Sequence, residues 1–254
     1  MLNYYGTWTL FKRESKRFLK VYKQTILGPV VSNLLYLAIF GLSLHKAIPD
    51  INGITYLQFL VPGLILMALV NNAYQNPSSS IIIMKFQGVI SDLMTIPLRT
   101  GEILFAFICS AVLRALLVAA ATYLTTIYFV DLNYTSITVI FASAILISLF
   151  FSFCGMLIGI WANDFDRHSL VLNFILSPLI FLGGVFYPVT SLPENLQTIF
   201  QLNPIVYMIN LLRYGFTGLK EFPLTESFIL LTLSTAILGF ICYYLLKKGW
   251  RLQT

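Results

Sequence analysis

Charge is scarce in this sequence. Lys, Arg, Asp and Glu make up 10% of its 254 residues, whereas a water-soluble chain carries about 25%. That deficit excludes an ordinary hydrated surface. Histidine occurs twice and cysteine three times. Cys109, Cys154 and Cys242 fall inside apolar segments and read as small core hydrophobes rather than a disulfide or metal set. No chain of Asp, Glu and His crosses the middle of the apolar segments, which argues against a proton-driven carrier. A Gly-x-x-x-x-Gly-Lys-Ser/Thr phosphate loop is absent, as are paired carboxylates in a cleft pattern and a Ser, His and Asp set outside the apolar runs. The sequence therefore predicts no catalytic residue, no metal site, no cofactor bound by this chain and no nucleic-acid partner.

What is present is hydrophobic length. Apolar residues make up 58% of the chain and aromatics 15%, collected in runs of roughly 20, the length that crosses a hydrocarbon core of about 30 Å at 1.5 Å per residue. The runs are continuously apolar and lack the alternation of barrel strands. An all-α polytopic membrane protein follows, a single domain over residues 1–254. Its crossings are expected at about 26–44, 56–76, 103–129, 136–160, 170–186 and 228–246. Six crossings return the C-terminus to the side of the N-terminus.

The basic residues orient the chain. Of sixteen Lys and Arg, twelve lie in segments assigned to one side: Lys12, Arg13, Lys16, Arg17, Lys20, Lys23, Lys85, Arg99, Arg167, Lys247, Lys248 and Arg251. Only Lys46, Arg213 and Lys220 fall on the other, and Arg114 lies within the third crossing. The positive-inside rule places both termini in the cytoplasm.

Two cytoplasmic segments are amphipathic. Residues 1–25 interleave Tyr5, Trp8, Phe11, Phe18, Leu19 and Tyr22 with lysines and arginines, without the early apolar run of a cleavable signal. They read as an interfacial helix on an anionic leaflet, or as a plain basic anchor. The connection from Asn76 to Glu102 places Phe86, Val89, Ile90, Leu93 and Met94 at helical spacing beside Gly88 and Asp92. Such a stripe must bury itself against another protein or the bilayer surface. Asp164, Asp166, Arg167 and His168 read as a structural turn or salt bridge.

Polar residues inside the crossings need partners. Asn71, Asn72, Gln75 and Asn76 are expected to face other helices or an aqueous vestibule, and Arg114 to face the protein interior or snorkel. The stretch from Gly183 to Gly218 is too apolar for a loop and too broken by Pro188, Pro193 and Pro204 for an uninterrupted crossing. It reads as a hairpin over 187–218 that enters the membrane and leaves on the same side, covered by the other helices so that its freed backbone groups do not face lipid. The last crossing then occupies 227–246.

YLQFLVPGLI at Tyr56–Ile65, KFQGVISDLMTIPL at Lys85–Leu98, GGVFYPVTSLP at Gly183–Pro193 and LNPIVYMINLLRYGFTG at Leu202–Gly218 together resemble the membrane subunits of type-2 ABC exporters. The resemblance covers essentially the whole chain. It implies a homodimer of six-helix subunits, two cytoplasmic ABC ATPase subunits that hold ATP and Mg, and contact with membrane lipids. It also implies that a coupling helix falls on Gly88 to Thr95, that the first and fifth crossings line the central path, and that a re-entrant hairpin falls on about Pro188 to Asn210. The gate residues would be Gly183, Gly184, Phe186, Tyr187, Pro188, Pro193, Asn203, Pro204 and Tyr207. Aromatics along the fifth crossing and hairpin would serve either cargo contact or packing. The competing class is an ATP-independent channel or carrier subunit.

Overall fold

The computed structural model describes residues 3–42, 50–51, 53–189, 193, 197 and 200–251; of Leu42 and Met94 it describes the backbone alone. The described residues are almost wholly helical, without a named strand, and six of the helical stretches are long and apolar enough to cross a membrane.

Helix α1, Tyr4–Lys20, opens with the Asn3 side chain accepting from the Gly6 amide at 2.9 Å, and Arg17 and Lys20 complement the dipole of its last turn. The first span, Lys23–Gly41, contains α2, Gly28–Tyr36, between two wider π-helical turns. Helix α3, Tyr56–Phe86, begins with a capping box between Thr55 and Gln58. Then come α4, Ile90–Thr95; α5, Thr100–Thr126; and α6, Ile137–Trp161. The fifth span, Phe165–Leu182, joins α7, Phe165–Val171, through a π turn at Leu172–Leu176 to α8, Ser177–Leu182. Helix α9 is Pro204–Thr217 and α10 is Leu224–Lys248.

These bounds adjust the sequence expectations. The first span starts three residues early, at Lys23, and residues 43–44 of the expected crossing lie outside the described set. The largest correction concerns α3. It continues for 31 residues, about 46 Å at 1.5 Å per residue, so residues 77–86 extend the helix instead of opening the connection. Pro62 and Pro77 lie inside it. The helix persists because it is buried on nearly every side by α5, α6 and α9. Beside the Pro77 break, Ser78 and Ser79 hydroxyls donate to the Tyr74 and Gln75 carbonyls at 2.7 and 2.6 Å. The fifth span is also displaced, opening at Phe165, where Asp164 accepts from the Arg167 amide at 2.8 Å and pairs with its side chain at 3.5 Å. This is the structural turn expected there.

Helix α6 crosses α3 without side chains between the backbones. A Cβ on Gly155 would lie 2.1 Å from the Tyr74 carbonyl oxygen, and one on Gly159 would lie 3.1 Å from Ser78 Cα. Two glycines four residues apart let the helices meet backbone to backbone, which in a membrane replaces the hydrophobic drive that lipid removes. Helix α3 is thus the axle of the bundle, while α2, the fifth span and α10 keep broad apolar faces exposed.

Candidate functional site

A cavity of about 290 Å³ opens between the first span, α3 and the fifth span. Asn33, Asn71, Asn72, Gln75, Asn173 and Ser177 supply its polar wall, and Tyr36 and Phe181 part of its apolar one. Both flanking helices are widened beside it. The Gly28 amide reaches back five residues to Lys23, and the Ser177 amide reaches back five to Leu172. The cause is local: Pro29 and Pro178 follow directly, and a proline ring clashes with the carbonyl four residues earlier unless that turn opens. The wall is uneven in its satisfaction. Asn33 Nδ2 donates to Thr122 Oγ1 at 3.2 Å. Asn72 Nδ2 donates to the Ala68 carbonyl at 2.9 Å, but its Oδ1 has no hydrogen-bond partner although the residue is 1% exposed.

Aromatic rings close one end. Phe186 packs against Phe40 at 4.6 Å, Phe181 at 5.6 Å and Tyr36 at 5.9 Å between ring centroids, and its carbonyl accepts from the Tyr56 hydroxyl at 3.0 Å. Here the fifth span ends. Gly183 lies so close to Ile205 that a Cβ would come within 2.4 Å of its methyl, and Gly184 has φ +82°, a conformation that disfavours any side chain.

Helix α9 holds this end through a buried ion pair. Arg213 donates to Glu221 Oε1 at 2.8 Å and to the Gly184 carbonyl at 2.7 Å, while its guanidinium stacks 3.7 Å from the centre of the Phe59 ring. The second carboxylate oxygen of Glu221 accepts from the Val189 amide at 3.0 Å, so one pair joins α3, the end of the fifth span and both flanks of α9. Asn210 adds a second staple, accepting from the Glu221 and Phe222 amides and donating to the Phe222 carbonyl and Ser227. At the other end of α9, Asn203 caps the Ile205 amide at 3.0 Å and donates to the Leu179 carbonyl at 2.7 Å.

The opposite end of the bundle carries the basic residues. Leu10, Glu14 and Phe18, four residues apart, form the buried stripe of α1. Glu14 is 1% exposed and accepts from Ser80 at 2.6 Å, Arg13 at 2.9 Å and Arg17 at 3.3 Å. Arg17 in turn donates to the Asn76 carbonyl at 2.7 Å, and Asn76 donates to Ser110 at 3.3 Å. Lys85 and Arg251 donate to carbonyls at the C-terminus of α6, satisfying groups that no helix turn can reach. Beyond Lys85 the chain turns at Gly88, φ +72°, into α4. Ile90 and Leu93 are buried with Leu10, Met84 and Phe107, whereas Phe86 is 83% exposed and Val89 and Asp92 face outward with it.

The sequence pattern of ABC-2 type transporters matches residues 5–217 of this chain. The chain belongs to the ABC-2 type transporter family. It is also 38% identical over 246 residues to the inner membrane transport permease YadH of Escherichia coli K12, covering 97% of this chain and 96% of that protein. It is 22% identical over 246 residues to nodulation protein J of Neorhizobium galegae, covering 96% and 89%. A permease subunit of this family is a transmembrane component of an ABC transporter and not an enzyme.

Within that family frame, the structure sorts the residues singled out from sequence. Gly183, Gly184, Phe186 and Asn203 come together where the fifth span meets α9, and Pro204 starts α9. Tyr187 packs edge-on to Phe200, and Tyr207 lies 5.4 Å from Phe222. Most of residues 190–199, including the expected descending arm of the hairpin around Pro193, lies outside the described residues. The apolar stripe of the segment expected to couple is divided: Ile90 and Leu93 face the protein's own core, leaving Phe86, Gly88, Val89 and Asp92 outward. The side chain of Met94 lies outside the described set. Arg114 is buried in α5, and its Nε has no hydrogen-bond partner. Sequence reading missed Glu14 and Arg213 as buried anchors. Glu14 carried a signal, being the sole acid in a basic segment and sharing a face with Leu10 and Phe18. By sequence Arg213 falls with the charges of the outer side, and nothing local marks Glu221, eight residues on, as its partner.

Proposed function

We propose that this chain is the membrane subunit of an ATP-driven exporter, working as a homodimer with two cytoplasmic ATPase subunits that bind ATP and Mg. Its cargo is an amphipathic, lipidic or lipid-linked molecule moved out of the cytoplasm or the inner leaflet. The observation that carries the reading is the polar cavity between the first and fifth spans, since polar groups at this depth are tolerated only where protein, water or cargo meets them. Its flanking helices support a paired subunit: Leu27, Val31, Leu35 and Ile39 form an exposed apolar stripe at four-residue spacing on the first span, and Phe174 and Ile175 are exposed on the fifth. Both termini are assigned to the cytoplasm on the strength of the basic residues gathered at the α1 end. There Phe86, Val89 and Asp92 offer the ATPase a surface beside a rigid α3.

The meeting of the fifth span with α9 acts as the outer gate, and the segment from 187 to 218 as the re-entrant hairpin. Fourteen residues of α9 reach about 21 Å, short of a hydrocarbon core of about 30 Å. Co-purification with an ABC ATPase subunit of the same organism tests the assignment: a stable complex with cargo-stimulated ATP hydrolysis is expected. A chain that transports alone and binds no ATPase overturns it in favour of a channel or carrier.

A further inference from the structure

We infer that a groove between α5 and α6 holds one glycerophospholipid as a structural ligand, with an acyl chain along the groove and its ester or phosphate oxygens at a pair of tyrosines. The groove encloses about 570 Å³. Its floor is buried, formed by Ile65, Ala119, Ala144 and Phe216, and its lips are the exposed side chains of Leu113, Leu117, Ile137 and Phe141. Alanine makes the hollow: Ala119, Ala120 and Ala144 place only a methyl group between two spans whose neighbouring positions carry Leu, Ile and Phe. No Lys, Arg, Asp or Glu is among the described residues that line it. Water finds almost no partner there, and an empty hollow forfeits dispersion contacts, so hydrocarbon is the filling that fits.

Length and width identify the occupant. From Leu113 to Tyr123 the helix rises about 15 Å at 1.5 Å per residue, half of a hydrocarbon core of about 30 Å, so the groove covers the depth of one leaflet. Spread over that length, its volume gives a cross-section of about 40 Å², about half that of a helix about 10 Å across. A helix of a second copy is therefore too wide to enter. The polar end supplies the recognition. The Tyr123 and Tyr134 hydroxyls lie 2.5 Å apart, and neither has another partner among the described residues. Two phenols carry two protons and their mutual bond uses one, which leaves the other for an acceptor on the lipid; this end of α5 is also the depth at which tyrosine suits a bilayer, ring in the apolar layer and hydroxyl at its edge. The site is preformed. Gln58 donates to the Asp131 carbonyl at 2.8 Å, and the Thr135 and Ser136 amides donate to the Gly215 carbonyl at 3.0 and 3.1 Å, which fixes the loop that carries Tyr134. The groove and the polar cavity share no lining residue, so this lipid is a fixture of the fold and not cargo.

The test titrates the full chain in detergent micelles with a phosphatidylethanolamine whose acyl chain carries a diazirine, followed by photolysis and peptide mapping. Saturable labelling within residues 113–144 is expected, approaching one lipid per chain and displaced by unlabelled phosphatidylethanolamine. Ala120→Trp, at an exposed position, fills the groove and should cut this labelling at least about tenfold. Tyr123→Phe combined with Tyr134→Phe keeps both rings but removes both hydroxyls; it should weaken binding about fivefold, the worth of one neutral hydrogen bond, and it stands in if Ala120→Trp fails to give monodisperse protein. Labelling spread evenly over the apolar faces of the first span and α10 means ordinary bilayer contact and overturns the inference. Labelling indifferent to both variants overturns it as well. Palmitate displacing the probe as well as phosphatidylethanolamine does assigns a free fatty acid instead, and loss of labelling on dimer formation assigns the face to a second copy; either result also overturns it. Because the measurement involves no ATPase and no transport, its failure leaves the exporter assignment standing.

Discussion

Arg213 shows how much rests on one side chain. Its charge is buried with Glu221, and its two remaining contacts are a carbonyl and an aromatic face. Removing one member of such a pair strands the other, so Arg213→Ala should destabilise the protein by about 3–5 kcal/mol. Thermal unfolding in detergent should show a large fall in Tm. Arg213→Met combined with Glu221→Gln should recover most of it, because no lone charge remains. If the double variant is as unstable as the single one, the pair is held for its packing alone. Glu14 follows the same logic at the other end of the molecule. Glu14→Gln keeps a hydrogen bond to Ser80 but loses two ion pairs, one of them with a half-exposed arginine. A loss of about 1–2 kcal/mol is expected, together with faster proteolysis of α1.

At the scale of elements, the segment proposed to couple to the ATPase lets docking be tested apart from folding. Phe86 is exposed and Leu93 is buried, so the same substitution should act differently at the two. Phe86→Asp should leave Tm nearly unchanged while ATP hydrolysis by the complex ceases to respond to cargo. Leu93→Asp should cost about 3 kcal/mol or more by burying a carboxylate without a partner, and Tm should fall before any coupling assay is informative. A Phe86→Asp variant with full transport would remove this face from the ATPase interface. The crossing of α6 on α3 is equally testable. Gly155→Val drives a side chain into the Tyr74 carbonyl, and overpacking at a backbone contact should cost about 1–3 kcal/mol or more, read as loss of the folded fraction on size exclusion. The two π turns beside Pro29 and Pro178 follow from proline chemistry.

The whole molecule divides into a buried axle and a more exposed flank. Helix α3 with α5, α6 and α9 forms the packed part, while the first and fifth spans and α10 border it with exposed apolar faces. Reporter fusions at Asn3 and Arg251 should both be cytoplasmic, as the distribution of basic residues demands; an external signal from either would invert the assignment of gate and coupling surface. Much of this frame was legible before any coordinates. Crossing a membrane requires runs of about twenty apolar residues with every backbone group paired, and both conditions are written locally in the chain. Hence the number of spans and the all-α class could be read directly. Tertiary structure alone decided which way each polar residue turned. Asn72 and Asn76 are four residues apart in one amide cluster, yet Asn72 lines a cavity with an unmet oxygen and Asn76 locks α1 to α5. Glu14 meets Ser80 across 66 residues, and Arg213 meets the Gly184 carbonyl across 29. Burial of charge depends on partners brought from elsewhere in the chain. No local pattern carries that information, which is why the spans belong to the sequence and the site to the packing.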